Sequence, residues 1–315
     1  MRSTLQLLFS ELKARFGDRP RQNEPLAKHT TFRVGGPADI WLAVETLEEL
    51  IATVKLARQH NVPVFMLGGG ANLLVTDAGI RGLVIENRCT KVTFPDESSG
   101  IGETVTLTVE SGVVLPNLAR RCVKRGLSGL EWAAGVPGTI GGAIVNNAGA
   151  YDGDMARNLQ QAALLSPAGD QAWYPVDWFD YSYRTSRLKH THNESWVVLE
   201  AALTMSVTDD KQAEEKLRAF NEKRKASQPP GATIGSMFKN PPGDYAGRLI
   251  EAAGLKGYQI GAAQISPIHA NFFQNLGEAT ATEVLTLIKT AQKRVLDQFG
   301  IKLQLEVEVI GDTSR

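Results

Sequence analysis

Cysteine is scarce in this chain: two thiols, Cys89 and Cys122, in 315 residues. They stand in unlike contexts, with no C-x-x-C spacing and no histidine cluster beside them, which argues against a disulfide framework and a metal site. Both read as buried thiols in a reducing compartment. A charge excess is missing too. Lysine plus arginine equals aspartate plus glutamate at 34 each, so no global field draws the chain to nucleic acid or a membrane surface, and an anionic ligand has to be met by local basic groups. No run of about 18 apolar residues occurs, so no segment is expected to span a bilayer. The N-terminal apolar positions Leu5, Leu8, Phe9, Leu12 and Phe16 recur at helical spacing but carry Glu11, Lys13 and Arg15 between them, which makes an amphipathic helix and not a secretory signal. A cytoplasmic protein is expected. Internal repeats and low-complexity tails are lacking.

Familiar catalytic signatures are absent as well. No G-x-x-x-x-G-K-[ST] loop occurs, and the glycines after the second predicted strand lack the helix and spacing of a dinucleotide-binding G-x-G-x-x-G. The serine that stands out, Ser236 in GSMFKNP (235–241), is not in a G-x-S-x-G elbow and has no histidine beside it to take its proton. Two readings fit it: a plain turn residue between glycine and proline, or a hydroxyl that gives a proton in a cationic setting.

What is present is a chain 43% hydrophobic, long enough for two or three domains. The first block predicts a strand over 39–44, a helix over 47–60 opened by a Thr46/Glu49 capping box, and a buried strand over 62–67. The loop LGGGANLLV (67–75) then exposes backbone N–H groups able to approach a phosphate closely. The second block, about 86–205, predicts a strand over 104–110 and a helix over 115–125. It then carries a glycine-rich passage, 129–143, read as a tight backbone surface and not a regular helix. A flexible linker competes with a ligand cradle there, but Trp132, Val136, Pro137 and Ile140 suit a cradle better. The third block holds a charged helix from 209, the serine segment, helices over 246–253 and 282–299, and a last strand over 302–310. In that strand the period of two places Gln304, Glu306 and Glu308 on one face, where a solvated face and an acidic functional group are both open.

Taken in order, HTTFRVGGPA (29–38), LGGGANLLV (67–75), AGVPGTIGGA (134–143), Tyr183-Arg184, GSMFKNP (235–241), HANF (269–272) and LEV (305–307) resemble the UDP-N-acetylenolpyruvoylglucosamine reductase family, over nearly the whole chain. The chain departs from the family at Leu305, where proline is common, and at Ser227, where lysine is common. The resemblance implies an α+β fold: an FAD-binding region of two α+β subdomains of the vanillyl-alcohol-oxidase (PCMH) type, 23–85 and 86–205, after an N-terminal helix (1–22). A C-terminal α+β substrate-binding domain, 206–315, would follow. It implies FAD as cofactor and NADPH as co-substrate, with the enolpyruvyl ether of a UDP-sugar reduced to the lactyl ether of UDP-N-acetylmuramate for peptidoglycan. Hydride would pass from flavin N5 to the distal alkene carbon, and charge develops alpha to the carboxylate.

By the same resemblance Arg184, Ser236 and Glu306 are the catalytic positions, as carboxylate clamp, proton donor and assisting acid, with Arg187 the competitor for the first. Gly68, Gly69, Gly70, Ala71, Asn72, Gly135, Pro137, Gly138, Thr139, Gly142 and Arg224 would contact the cofactor, and Tyr183, Lys239 and Asn240 the substrate. His269 reads as a structural histidine. The short span between Arg184 and Ser236, one strand and one helix, matches the branch without a tyrosine lid loop. A monomer is expected, with no metal, nucleic acid or membrane partner. Two rivals stand beside this reading: another FAD oxidase of the same fold, and a catalytically silent nucleotide-sugar binding protein.

Overall fold

The N-terminal helix forms where its apolar spacing places it. In the computed structural model, which describes residues 2–96, 99–190 and 196–312, it runs Arg2–Phe16. Leu8 and Leu12, one turn apart, are fully buried, as the four-residue period of one helix face requires. The second helix, Leu47–Gln59, starts at Thr46, whose side chain accepts from the Glu49 N–H at 3.2 Å. The expected capping box is only half made. The Glu49 carboxylate returns to the N–H of Glu45 at 2.9 Å, because a two-pronged pair with Arg19, 2.7 Å on each prong, holds it there. A complete capping box forms instead at Thr280 and Glu283, opening the helix Ala281–Phe299.

The chain divides into two units. The first comprises Met1–Pro20, Leu42–Gly69 and Ile85–Arg224. Its centre is an antiparallel sheet in the order Gln171–Pro175, Leu159–Leu165, Val197–Val207, Thr104–Glu110, Val92–Thr93, with Leu127–Ser128 paired to the far end of Val197–Val207. The helix Leu115–Val123 buries Leu118, Ala119 and Cys122 in a core shared with Leu107, Val109, Phe179 and Leu203. Both cysteines are fully buried. Burial pushes the Cys89 and Cys122 thiols up to about 12, so neither is a nucleophile at neutral pH.

The second unit comprises Arg21–Trp41, Gly70–Val84 and Lys225–Arg315. An antiparallel sheet runs in the order Ala232–Ser236, Phe272–Asn275, Ala263–Ile265, Gln259–Ile260. Phe238, Leu249, Ile250, Phe273, Val284, Leu287 and Ile288 form its core, in which the helices Ala246–Ala252 and Ala281–Phe299 bury their apolar faces. A parallel pair joins Leu73–Val75 to Glu308–Ile310. Helices and antiparallel strands segregate in both units, the α+β class that the resemblance implies.

Three expectations need correction. Residues of the glycine-rich passage do form a short helix, Ile140–Asn146: Ile140, Ala143 and Ile144 provide a buried face that outweighs the glycine penalty. The last strand is Glu308–Ile310 and not 302–310. Ahead of it only Leu305 bridges, to Phe238, and the N–H groups of both Glu306 and Val307 point at the Met237 carbonyl, at 2.9 and 3.5 Å. Two successive donors on one acceptor break the period of two, as a bulge does. Between Arg184 and Ser236 the strand Val197–Val207 and helix Asp210–Ser227 are preceded by a short further helix, Arg187–His190.

Candidate active site

In the first unit the two glycine-rich loops meet. A β-carbon on Gly68 would stand 2.4 Å from Thr139 Oγ1, and one on Gly69 would stand 3.1 Å from the Gly138 Cα, so only glycine lets the backbones close. Gly138 itself is left-handed, φ 119°. Its carbonyl accepts from Leu115, and Thr139 bridges Val114, which anchors the loop on the helix Leu115–Val123. Pro137 and Gly142 are exposed, Thr139 is buried, and a β-carbon on Gly142 would find its nearest atom 3.8 Å away. Bare backbone is therefore presented from two segments about seventy residues apart, the surface a phosphate-bearing ligand requires.

Arg224, on the helix Asp210–Ser227, lies across the same passage. A β-carbon on Gly135 would fall 2.4 Å from Arg224 Cδ. Burial lowers the Arg224 pKa, with the nearby Tyr151 acting against it. Tyr151 is one of two left-handed residues, with Asp152, in the turn that joins Gly149–Ala150 to Gly153–Asp154, and its ring stacks on Phe220 at 4.6 Å.

Tyr183 and Arg184 form the tip of a tight turn closed by reciprocal 3.2 Å bonds between Ser182 and Thr185. Arg184 is left-handed, φ 57°, a conformation that costs a β-carbon-bearing residue and recurs at functional positions. Its Nη2 donates to the Gly149 carbonyl at 2.5 Å and its Nη1 to the Asn147 carbonyl at 3.5 Å, while the guanidinium carbon lies 5.1 Å from the Tyr183 ring centroid. The competitor, Arg187, lies over the Trp178 ring instead.

In the second unit Ser236 follows a bulge. The pairing of Ala232–Ser236 with Phe272–Asn275 shifts register between Thr233 and Ser236, and Gly235 between them has φ 85° with no atom within 4 Å of where a β-carbon would stand. Glycine is there for conformation, and the bulge re-aims the serine that follows. Beyond it, the buried Asn271 takes the Phe238 N–H on Oδ1 at 3.0 Å and gives Nδ2 to the Phe238 carbonyl at 2.8 Å. His269 supports this clamp: its Nδ1 accepts from the Asn271 N–H at 3.2 Å, and burial lowers its pKa.

The segment carrying Glu306 lies alongside. Glu306 N–H donates to the Met237 carbonyl at 2.9 Å and Lys239 N–H to the Gln304 carbonyl at 2.8 Å. Asn72 ties in the glycine loop, with Nδ2 on the Glu306 carbonyl at 3.1 Å and its own carbonyl accepting from Glu308 at 3.0 Å. Gly70 and Ala71 lead into it. Gly70 is left-handed and packed under the 29–31 segment, where a β-carbon would fall 2.2 Å from the His29 carbonyl. Met237, which follows Ser236, thus lies with Glu306 and Asn72 along one hydrogen-bonded seam, with Lys239 half-buried beside it. Asn240 is engaged at its acceptor: its Oδ1 takes the Ala246 N–H at 3.1 Å, opening the helix Ala246–Ala252.

Sequence reasoning passed over Asn147 and Asn271, both buried and hydrogen-bonded through both ends of the amide. The signal for Asn147 was its place just after a short apolar helix, where asparagine tolerates a left-handed turn. Among the described residues no group of three or more His, Cys, Asp or Glu could hold a metal, and no helix is long and apolar enough to cross a membrane.

Comparisons with known proteins match nearly the whole chain to one family. The family model described as an FAD binding domain matches residues 38–173, and the model of the UDP-N-acetylenolpyruvoylglucosamine reductase C-terminal domain matches 227–310. A curated UDP-N-acetylenolpyruvoylglucosamine reductase from Chloroflexus aggregans is 44% identical over 292 residues, 92% of this chain and 97% of its own length. One from Rubrobacter xylanophilus is 43% identical over 98% of both chains. The crystal structure of UDP-N-acetylenolpyruvylglucosamine reductase from Thermus caldophilus superposes with a TM-score of 0.77 at 35% identity, covering 92% of this chain and 99% of that one.

Proposed function

Because the chain belongs to the UDP-N-acetylenolpyruvoylglucosamine reductase family of FAD-dependent oxidoreductases, we propose that it acts in the cytoplasm as the NADPH-dependent reductase of UDP-N-acetylglucosamine enolpyruvate. Its product is UDP-N-acetylmuramate, for peptidoglycan. The bare backbone of Gly68, Gly69, Gly138 and Gly142 fits the diphosphate of FAD, since each position offers main-chain donors where a side chain is small or absent. FAD, held there, would supply the hydride-transfer chemistry that links NADPH to the enolpyruvyl alkene. Gly70, Ala71, Asn72, Gly135, Pro137, Thr139 and Arg224 complete its contacts.

The chain's own residues handle the charge that results. Arg184 holds the substrate carboxylate. Its planar fork is oriented by two backbone carbonyls, and each well-aimed donor on developing negative charge is worth about 3 kcal/mol. Ser236 gives its hydroxyl proton to the carbon alpha to that carboxylate; general-acid steps typically contribute on the order of 10²–10⁴-fold. Glu306, on the neighbouring segment, assists as a hydrogen-bonding acid. Tyr183, Lys239 and Asn240 face the UDP-sugar, and the span after Arg184 adds no tyrosine lid. Residues 23–85 and 86–205 serve the cofactor and 206–315 the substrate.

The observation that carries this reading is the serine placed by a glycine bulge and hydrogen-bonded, through Met237, to the segment bearing Glu306. The test is the visible spectrum of the purified FAD-loaded protein, followed anaerobically. NADPH should bleach the flavin band and UDP-N-acetylglucosamine enolpyruvate should restore it. A band that stays bleached with the sugar and returns rapidly only when oxygen is then admitted would instead mark an oxidase of the same fold.

A further inference from the structure

We propose that Asn147 is a positioning residue for Arg184, fixing the turn that carries the arginine and seating its guanidinium. The inference rests on the reading that Arg184 meets the substrate carboxylate, and adds a residue the family motifs did not assign. Asn147 is 4% exposed and left-handed, φ 44°, at the end of the helix Ile140–Asn146. Its N–H closes that helix on the Ala143 and Ile144 carbonyls, and its other polar groups bear on the arginine turn. Nδ2 donates to the Ser182 carbonyl at 3.1 Å, on the near side of the Ser182–Thr185 turn. Oδ1 accepts from the Ala156 N–H at 3.1 Å, which locks the amide's orientation. Its own carbonyl accepts from Arg184 Nη1, beside the Gly149 carbonyl that accepts from Nη2.

Gly149 cannot shift to follow a displaced arginine. A β-carbon on it would stand 2.6 Å from the Gly153 carbonyl, so that strand is close-packed. Arg184 itself is held left-handed against its preference, and a position of that kind persists only where its surroundings over-determine it. The bond from Asn147 to Ser182 is one side-chain element of that constraint. Losing it leaves the fold's core intact but frees the guanidinium plane, and misplacement of about 1 Å costs on the order of 10²-fold in rate.

The experiment uses the full FAD-loaded chain in anaerobic stopped flow, reading flavin reduction by NADPH and reoxidation by UDP-N-acetylglucosamine enolpyruvate separately. The proteins are the parent, Asn147→Gly, Arg184→Met and the double variant. Glycine keeps the left-handed backbone and removes only the amide. Asn147→Gly should reduce its flavin at the parental rate but reoxidise it about 10–10²-fold more slowly, at saturating substrate as well as below it. The double variant should be no slower than Arg184→Met, because one residue acts through the other. Multiplying effects in the double variant, slowing of both half-reactions, or parental reoxidation in Asn147→Gly beside a slow Arg184→Met would each overturn the proposal. Parental reoxidation in Arg184→Met would overturn the arginine's own role, and the positioning role with it, and is distinguishable because that single variant reports it. Should Asn147→Gly not fold, Asn147→Asp keeps the acceptor for Ala156 and loses the donor to Ser182, and carries the same expectations.

Discussion

The side-chain Nδ2 of Asn72 donates to the backbone carbonyl of Glu306 at 3.1 Å, across 234 residues of sequence. With the Glu308 N–H on the Asn72 carbonyl, the asparagine of a glycine loop becomes a clamp on the segment bearing an expected acid. Asn72→Ala should lower stability by about 1 kcal/mol, the net worth of one such bond, and slow flavin reoxidation by substrate more than flavin reduction by NADPH. Stopped-flow rates and urea melts measure both; a loss of FAD affinity alone would make Asn72 a cofactor contact only.

Ser236→Ala should leave flavin reduction by NADPH intact and abolish reoxidation by the enolpyruvyl substrate, the step that needs a proton at carbon, by on the order of 10²-fold or more. Ser236→Cys should retain part of the rate. Loss of both half-reactions would mark Ser236 as a structural residue of its bulge.

Two glycine substitutions separate packing from ligand contact. Gly70→Ala forces a β-carbon 2.2 Å from the His29 carbonyl at φ 59° and should cost at least about 2 kcal/mol of stability. Gly142→Ala, in a helix with its nearest neighbour 3.8 Å away, should raise stability by up to about 1 kcal/mol, yet weaken FAD binding by crowding bare backbone. Thermal melts with and without FAD give both numbers, and unchanged FAD affinity in Gly142→Ala would remove it from the cofactor site.

Asp77 accepts from the N–H groups of Ala281 and Thr282 at 2.7 and 2.9 Å and from the Thr282 hydroxyl at 2.6 Å, opening the helix Ala281–Phe299. Burial works against its charge, but these donors outweigh it and hold the carboxyl below its ordinary value. A depressed folded pKa contributes stability that is full above the unfolded pKa and lost as pH falls through the folded one. Asp77→Ala should therefore cost about 1 kcal/mol at neutral pH and show a shallower loss below about pH 4. Urea melts at neutral and acid pH test this; parallel acid limbs for parent and variant would contradict it.

Cys89 and Cys122, fully buried with thiols pushed up to about 12, should not react with a disulfide reagent in the native protein and should both react on unfolding. Rapid labelling of either in the folded chain would show local opening around it.

The α+β class came with the family resemblance; most helices, the two glycine loops and the turn before Ser236 were legible in local residues. Each depends on a few neighbouring residues: the spacing of Leu8 and Leu12, the left-handed tolerance of Gly235, the side-chain oxygen of Thr46. Where a competing long-range partner existed, the local reading slipped: Arg19 drew Glu49 off its capping box, and Met237 bent the 302–310 segment out of a continuous strand. Only the tertiary structure decided that Asn72 clamps Glu306, that Asn147 holds the turn of Arg184, and that Gly69 lies on Gly138. Backbone preference is written within a turn or two of each residue, whereas the partner of a buried donor is fixed only when distant segments close and exclude water, leaving that donor one acceptor within reach.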